Sequence, residues 1–367
     1  MLSKLTILSS FFVLLCSTGK AQALKPGFDK EEYIETLKIN YNAHLELGSW
    51  SDTAGIPIPQ HYTFNYRSPR GAFDNIWDLW IHRNKRIALI AVQGSIQTQA
   101  SFLANLYAAM VPATGTLQLD RNSSFSYHLA DHPNAAVHAG WLIAMAYLST
   151  SIEHKIDSCY RSGIKEFILT GHSQGGGITF LLTAHLRQLV ASGKLPADIT
   201  FKTYCSAGPK PGNLFFAYDY EKNTGDGWAF NVVNTADWVP EVPFSIQTVN
   251  DFTAVNPFRG AKAMIRKQKF PANIALRHVY NKLDRPSRRA QRNYERYLGK
   301  MVSKMVRKQI PDISMPEYYQ SNYYVRTGPT IVLYADSLYY QHHSNEGQDK
   351  IWQNHLMKPY LFLAERY

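Results

Sequence analysis

Ile164-Lys165-Glu166-Phe167-Ile168-Leu169-Thr170 runs into Gly171-His172-Ser173-Gln174-Gly175, and residues 176–190 follow with Leu181, Leu182, Leu186 and Leu189. The first run is short and rich in β-formers, and the last carries its leucines at helical spacing. The stretch therefore predicts a strand, a sharp turn and a helix, with G-x-S-x-G at the turn. A serine on such a turn is pushed above the sheet, and the flanking glycines let strand and helix approach closely. The backbone N–H of Gln174 and the positive end of the helix then point to where a substrate oxygen would sit. Ser173 is the candidate nucleophile. The plainer alternative is a glycine-rich turn with a capping serine.

Working upstream, residues 86–92 form an almost unbroken apolar run, as expected of a central parallel strand, and end in Gln93-Gly94-Ser95. A loop in that place can supply a second oxyanion donor, so Ser95 joins Gln174 as a candidate. Working downstream, residues 228–233 read as another strand, followed by Asn234-Thr235-Ala236-Asp237-Trp238-Val239-Pro240. An acid just beyond a strand end can orient a catalytic histidine, which makes Asp237 the candidate. Asp226 and Asp251 compete, but neither directly follows a strand. With the chain order Ser, Asp, His, the base is drawn from His278, His342, His343 and His355. His355 is favoured, with His343 and His342 as alternatives; His278 lies in a basic stretch and is expected on the surface. The His342/His343 pair has too few acidic or cysteine neighbours in sequence for a metal site.

These segments resemble the class 3 lipases. Val137-His138-Ala139-Gly140-Trp141 resembles the family's V-H-x-G-F segment, and Thr170-Gly171-His172-Ser173-Gln174-Gly175-Gly176 its T-G-H-S-L-G-G. Ala207-Gly208-Pro209-Lys210-Pro211-Gly212-Asn213 resembles the G-x-P-R-x-G-N loop. Val232-Val233-Asn234 through Asp237-Trp238-Val239-Pro240 is similar to the R-V-V-N-x-x-D-x-V-P segment that carries the triad acid. His355-Leu356-Met357 with Tyr360-Leu361 is similar to the family's C-terminal ending, which supports His355. The likeness covers residues 87–237 in order, plus the C-terminus. It implies an α/β-hydrolase fold with a mostly parallel central sheet flanked by helices, hydrolysis of acylglycerols or phospholipids, and no cofactor. It also implies a helical lid, for which residues 100–111 stand in the right place, although an ordinary packed amphipathic helix reads equally well. Two departures matter. Gln174 stands where the family has Leu, which is expected to make the pocket more polar, and residues 237 and 355 are unusually far apart.

The excess length between them is a basic insert. Residues 259–308 hold 16 Lys and Arg against two acids, Asp284 and Glu295, while the whole chain carries only +11. Two helices are expected there, at 260–269 and 288–308, broken at Pro271 and Pro286. Tyr294, Tyr297, Leu298, Met301, Met305 and Val306 recur at helical spacing among the cations, a pattern suited to an anionic membrane surface or simply to a solvated face. No nucleic-acid recognition motif accompanies the charge, so no nucleic acid is expected as a partner.

The ends set the compartment. Lys4, an apolar run at 5–16 and Ala21-Gln22-Ala23 make residues 1–23 a signal peptide, with cleavage after Ala23 and export to the periplasm or medium. A lipoprotein using Cys16 is the alternative. Residues 24–367 are then expected to form one domain, 45% hydrophobic composition being ample for a core. Cys159 and Cys205 are expected as free buried thiols. The resulting expectation is a serine-dependent carboxylic ester hydrolase taking a lipid or other small ester, most directly an acylglycerol lipase. Phospholipase A1 and short-chain carboxylesterase are alternatives within enzymes, and a non-catalytic lipid-surface-binding protein is the alternative from another class.

Overall fold

The computed structural model describes residues 23–49, 55–343 and 350–367. Nearly all of the proposed leader, with Cys16, lies outside the described residues. Seven strands make the central sheet: β1 (Tyr62–Arg67), β2 (Trp77–His82), β3 (Ile87–Val92), β4 (Glu166–His172), β5 (Thr200–Ser206), β6 (Ala229–Asn234) and β7 (Thr330–Leu333). Their spatial order is their chain order. β1, β2 and β3 pair antiparallel, and β3 through β7 pair parallel, so the sheet is mostly parallel as expected.

The apolar run of β3 is buried at every position. Its side chains alternate between the two faces of the sheet. Ala88, Ile90 and Val92 enter one core with residues of helices α2 (Gln99–Leu106), α3 (Ala139–Arg161), α4 (Gln174–Ala191) and α5 (Leu214–Thr224). Ile87, Leu89 and Ala91 enter the other with residues of α1 (Lys30–Asn42). Helices α2 to α5 lie in the long crossovers that parallel strands require and cover the first face, while α1, ahead of β1, covers the second, which gives the layered α/β architecture expected. Cys159 and Cys205 are free and buried.

The basic insert departs from its expectation. α6 (Ala261–Arg266) is followed by α7 (Ala272–Glu295), a π-helical turn at Arg296–Met301 and α8 (Val302–Gln309). α7 thus starts at Ala272 rather than near Arg288, and Pro286 lies inside it. A proline removes one backbone hydrogen bond, but Pro286 is exposed, so water can take the freed carbonyl. Asp284 also spans the break through its bond to Arg288 Nε at 2.7 Å. α8 is rooted in the core by Val302 and Val306, whereas no residue from Phe252 to Leu283 is buried.

The C-terminal end comprises α9 (Ser337–His342), a turn at Gln353–His355 and α10 (Met357–Arg366). α10 packs against α1 on the second face, where Tyr360, Leu361, Leu363 and Ala364 join the core.

Candidate active site

β4 delivers Ser173 on the predicted turn. The residue has φ +62° and ψ −130°, a region that non-glycine residues rarely adopt, while α4 begins immediately after it. The turn closes only because Gly175 has no side chain: a Cβ there would stand 2.2 Å from the Val92 carbonyl oxygen. Ser173 Oγ is 2.7 Å from His355 Nε2, and His355 Nδ1 is 2.8 Å from Asp237 Oδ2. The three sequence candidates therefore converge into one hydrogen-bonded chain, with Asp237 and His355 buried and Ser173 half-buried.

Asp237 is gripped from three sides. Besides His355, its Oδ2 accepts from Tyr360 Oη at 2.7 Å, and its Oδ1 accepts the backbone N–H of Val239 at 3.0 Å. Tyr360 in turn accepts the backbone N–H of Asn234 at 3.1 Å. Burial, followed by the Asp237 carboxylate, raises the Tyr360 hydroxyl pKa far above its ordinary value, so it stays a donor.

A second chain holds the histidine loop. His172 Nε2 lies 2.7 Å from the His355 carbonyl oxygen, its Nδ1 lies 3.0 Å from Ser206 Oγ, and Ser206 Oγ lies 2.8 Å from Tyr33 Oη. A carbonyl can only accept, which puts the His172 proton on Nε2 and makes Ser206 the donor to Nδ1. Tyr33 then donates to Ser206, and every member is satisfied. Burial first, with the neighbouring His355 second, pushes the His172 pKa well below its ordinary value, consistent with this neutral tautomer.

The oxyanion candidates meet at the same place. Gly94 lies against the turn, where a Cβ would come within 2.7 Å of the His172 carbonyl oxygen and 3.5 Å of Ser173 Cβ. That close approach brings the Ser95 loop alongside the nucleophile. Ser95 Oγ accepts from Asn105 Nδ2 at 3.0 Å, which leaves its own proton free to donate. The Gln174 side chain is buried, contrary to the more polar pocket expected from it. Its Oε1 accepts from Asn75 Nδ2 at 2.8 Å, and its Nε2 donates to Ser101 O at 2.9 Å and Asn105 Oδ1 at 2.8 Å. Asn105 Oδ1 also accepts from Trp141 Nε1 at 3.0 Å.

These bonds bear on the helix considered as a lid. α2 spans only Gln99–Leu106, the rest of the expected stretch being a turn and a short strand at Met110–Pro112. Its inner face is tied to α4 through Gln174 and buries Leu103 and Ala104, while Phe102 and Leu106 stay exposed. Leucine at 174 would strand the Asn75 amide in a buried place and take a donor from the Ser101 carbonyl and from Asn105 Oδ1. Gln174→Leu is expected to lower stability by about 2 kcal/mol in urea unfolding, since unmet buried polar groups cost about 1–3 kcal/mol each. A variant as stable as the parent would show that the amide network is dispensable.

The alternative bases sit elsewhere. His343 packs its ring on Tyr339 and Phe362, and His342 lies on Phe362, so neither is bonded to Ser173 or Asp237. His278 is exposed on α7 as expected. Asp251 is occupied in a capping box with Thr248 and accepts from Ser321, and Asp226 sits in a positive-φ turn. Sequence reading missed the supporting groups Tyr33, Asn75, Asn105, His172 and Ser206. Among the described residues no group of three or more His, Cys, Asp or Glu could hold a metal ion.

Comparison with known proteins bears out the family resemblance. Residues 89–247 match the model of the lipase (class 3) family. A secreted mono- and diacylglycerol lipase 1 of Fusarium solani is 29% identical over 108 residues, a match covering 29% of each chain. Among solved structures, a fungal lipase–inhibitor complex matches at 18% identity and TM-score 0.45, covering 58% of this chain and 74% of that one. A lipase of Yarrowia lipolytica matches at 18% identity and TM-score 0.44, covering 60% and 78%.

Proposed function

We propose that the chain is an exported serine-dependent carboxylic ester hydrolase that acts on acylglycerols through an acyl-enzyme. The observation that carries this reading is the continuous bonding from Ser173 Oγ through His355 to Asp237, on a strained turn at the N-terminus of α4. The family match and the secreted acylglycerol lipase relative support the substrate class. The leader-like N-terminus supports export, and among the described residues no helix is long and apolar enough to cross a membrane. The insert's cations and exposed apolar side chains support peripheral contact with an anionic membrane surface.

In the proposed reaction His355 Nε2 takes the Ser173 proton as Oγ bonds to the ester carbonyl carbon. The oxyanion is received by the backbone N–H groups of Ser95 and Gln174, with the Ser95 hydroxyl adding a third donor. The intermediate collapses by expelling the alcohol, which leaves with the proton held on His355. Water then attacks the acyl-enzyme, gives a proton to His355, and the carboxylic acid departs as Ser173 regains its proton. Asp237 holds the imidazole in the tautomer that can accept at Nε2 and stabilises the imidazolium that forms.

The test is labelling of the folded protein with a fluorophosphonate in detergent micelles, followed by peptide mass spectrometry. A stoichiometric adduct on Ser173 is the expected result. A folded sample with no adduct, or one modified only at another residue, would reject the assignment. A chain-length series of esters, with and without micelles, then separates acylglycerol hydrolysis from phospholipase A1 and short-chain esterase action.

A further inference from the structure

The insert divides into a rooted half and a projecting half. In the rooted half, Tyr294 packs against a patch of Met110, Ala136 and Tyr324, and Val302, Val306, Ile310 and Ile313 enter the main core. The Leu298 carbonyl accepts the backbone N–H of Ala109 at 3.2 Å, and α8 packs against α2 beside the Ser95 loop. In the projecting half the apolar residues of α7 continue along the same side of the helix. Leu276, Val279 and Leu283 stand at i, i+3 and i+7, and residues 290 and 294 extend that line into the rooted part. Here, however, no protein covers it: Leu283 is 73% exposed, and Leu276, Val279, Ile274 and Met264 are exposed as well. Phe270, in the turn between α6 and α7, is 78% exposed.

Charge identifies what would cover this face. Residues 259–283 carry seven Lys and Arg and no acid. A second copy of the same face would bring those cations together, which disfavours self-association. Arg277 and Lys282 lie to either side of the apolar line, and Arg266, Lys267 and Lys269 lead into the Phe270 turn. Long basic side chains beside an exposed apolar strip can hold their charges at a headgroup layer while the strip enters the acyl boundary.

We propose that residues 259–283 form a docking element for an anionic bilayer, with Phe270, Leu276, Val279 and Leu283 entering the interface and the flanking cations over acidic headgroups. The proposal rests on the lipid-ester reading for its purpose, but the contact itself needs no catalysis. The insert that carries this element is rooted by α8 on α2, the helix that follows the Ser95 loop and leaves Phe102 and Leu106 exposed.

Sedimentation with vesicles tests this on the mature chain, comparing phosphatidylcholine with phosphatidylcholine containing 30% phosphatidylglycerol at about 0.1 M salt. Binding at least tenfold tighter to the anionic vesicles is expected. Arg266→Gln/Lys267→Gln/Lys269→Gln should weaken it by about a hundredfold, taking a few-fold to tenfold for each surface cation. Leu276→Ser/Leu283→Ser should weaken it on the same vesicles. Both variants should hydrolyse a short soluble ester at the parent rate, because neither touches the Ser173 site. Equal affinity for neutral and anionic vesicles would overturn the proposal, as would no vesicle binding, whether or not the chain dimerises or binds an acidic polymer. Those results with soluble-ester turnover intact would leave the hydrolase reading standing. Anionic-vesicle binding without turnover of any ester would uphold the docking element and reject the hydrolase.

Discussion

Ser173→Ala is expected to lower kcat on a chromogenic ester by about 10⁶-fold, the scale seen when a triad nucleophile is removed, with little change in thermal stability. The two halves of that result have separate physical causes. The Ser173 side chain makes no capping bond to α4, so its loss leaves the helix start as it was. Alanine at the same positive φ carries a backbone strain close to that of serine, because both have a Cβ. What disappears is the atom proposed to form the acyl bond and its 2.7 Å contact with His355 Nε2. The donors of Ser95 and Gln174 remain, so a residue of rate above that of water is expected to survive. Rate assays and melting curves on one preparation, checked by mass spectrometry for parent contamination, decide the matter. Parent-like turnover in a clean sample would mean that Ser173 is not the nucleophile.

The parts of the site legible in the sequence are those whose chemistry is local. Ser173 announces itself because strand, turn and helix must follow one another within thirty residues, and a glycine two positions on is forced by the Val92 carbonyl. Asp237 is marked by its place after a strand that reads as a buried run. His355 was narrowed by chain order and by likeness, but what distinguishes it from His343 is tertiary. α10 packs on α1 and brings the residues before it over the end of β4, whereas His343 is taken up by Tyr339 and Phe362.

The supporting groups carried no such signal. Tyr33 and Ser206 are 173 positions apart and belong to α1 and the end of β5, so only the assembled sheet shows that they steady the His355 loop. Gln174 misled for a related reason. A polar side chain next to a nucleophile invites a reading as pocket lining, yet partners from the loop at Asn75 and from α2 absorb both ends of its amide. The insert went wrong at Pro286 because a proline is a strong local breaker, and local rules do not know that an exposed site can lose one hydrogen bond cheaply. Its amphipathic character was legible; that half of it lacks a protein partner was not.

Asp237→Asn should reduce kcat by about 10⁴-fold while the protein stays folded, a loss of the size expected when a triad histidine is held in the wrong tautomer. Three donors converge on the two carboxylate oxygens: His355 Nδ1–H and Tyr360 Oη–H on Oδ2, and Val239 N–H on Oδ1. An amide keeps the shape but offers only one oxygen. The backbone N–H of Val239 cannot turn away or stop being a donor, so the amide oxygen is held there. The NH₂ group then faces His355 and Tyr360, both of which can adapt. The tyrosine hydroxyl rotates to accept, and the imidazole moves its proton from Nδ1 to Nε2. That adaptation keeps both contacts, at the cost of an acceptor for the Tyr360 proton, and disables the site, because an Nε2 already protonated cannot take the proton of Ser173. Tyr360→Phe removes one donor to the carboxylate and the acceptor of the Asn234 N–H but leaves the carboxylate itself, so it should cost far less activity than Asp237→Asn. Steady-state kinetics on the two variants, with circular dichroism to verify folding, measures the contrast. An Asp237→Asn enzyme within tenfold of the parent would show that this carboxylate does not set the histidine, and the buried acid would then have to be read as a structural cap for the turn at Val239.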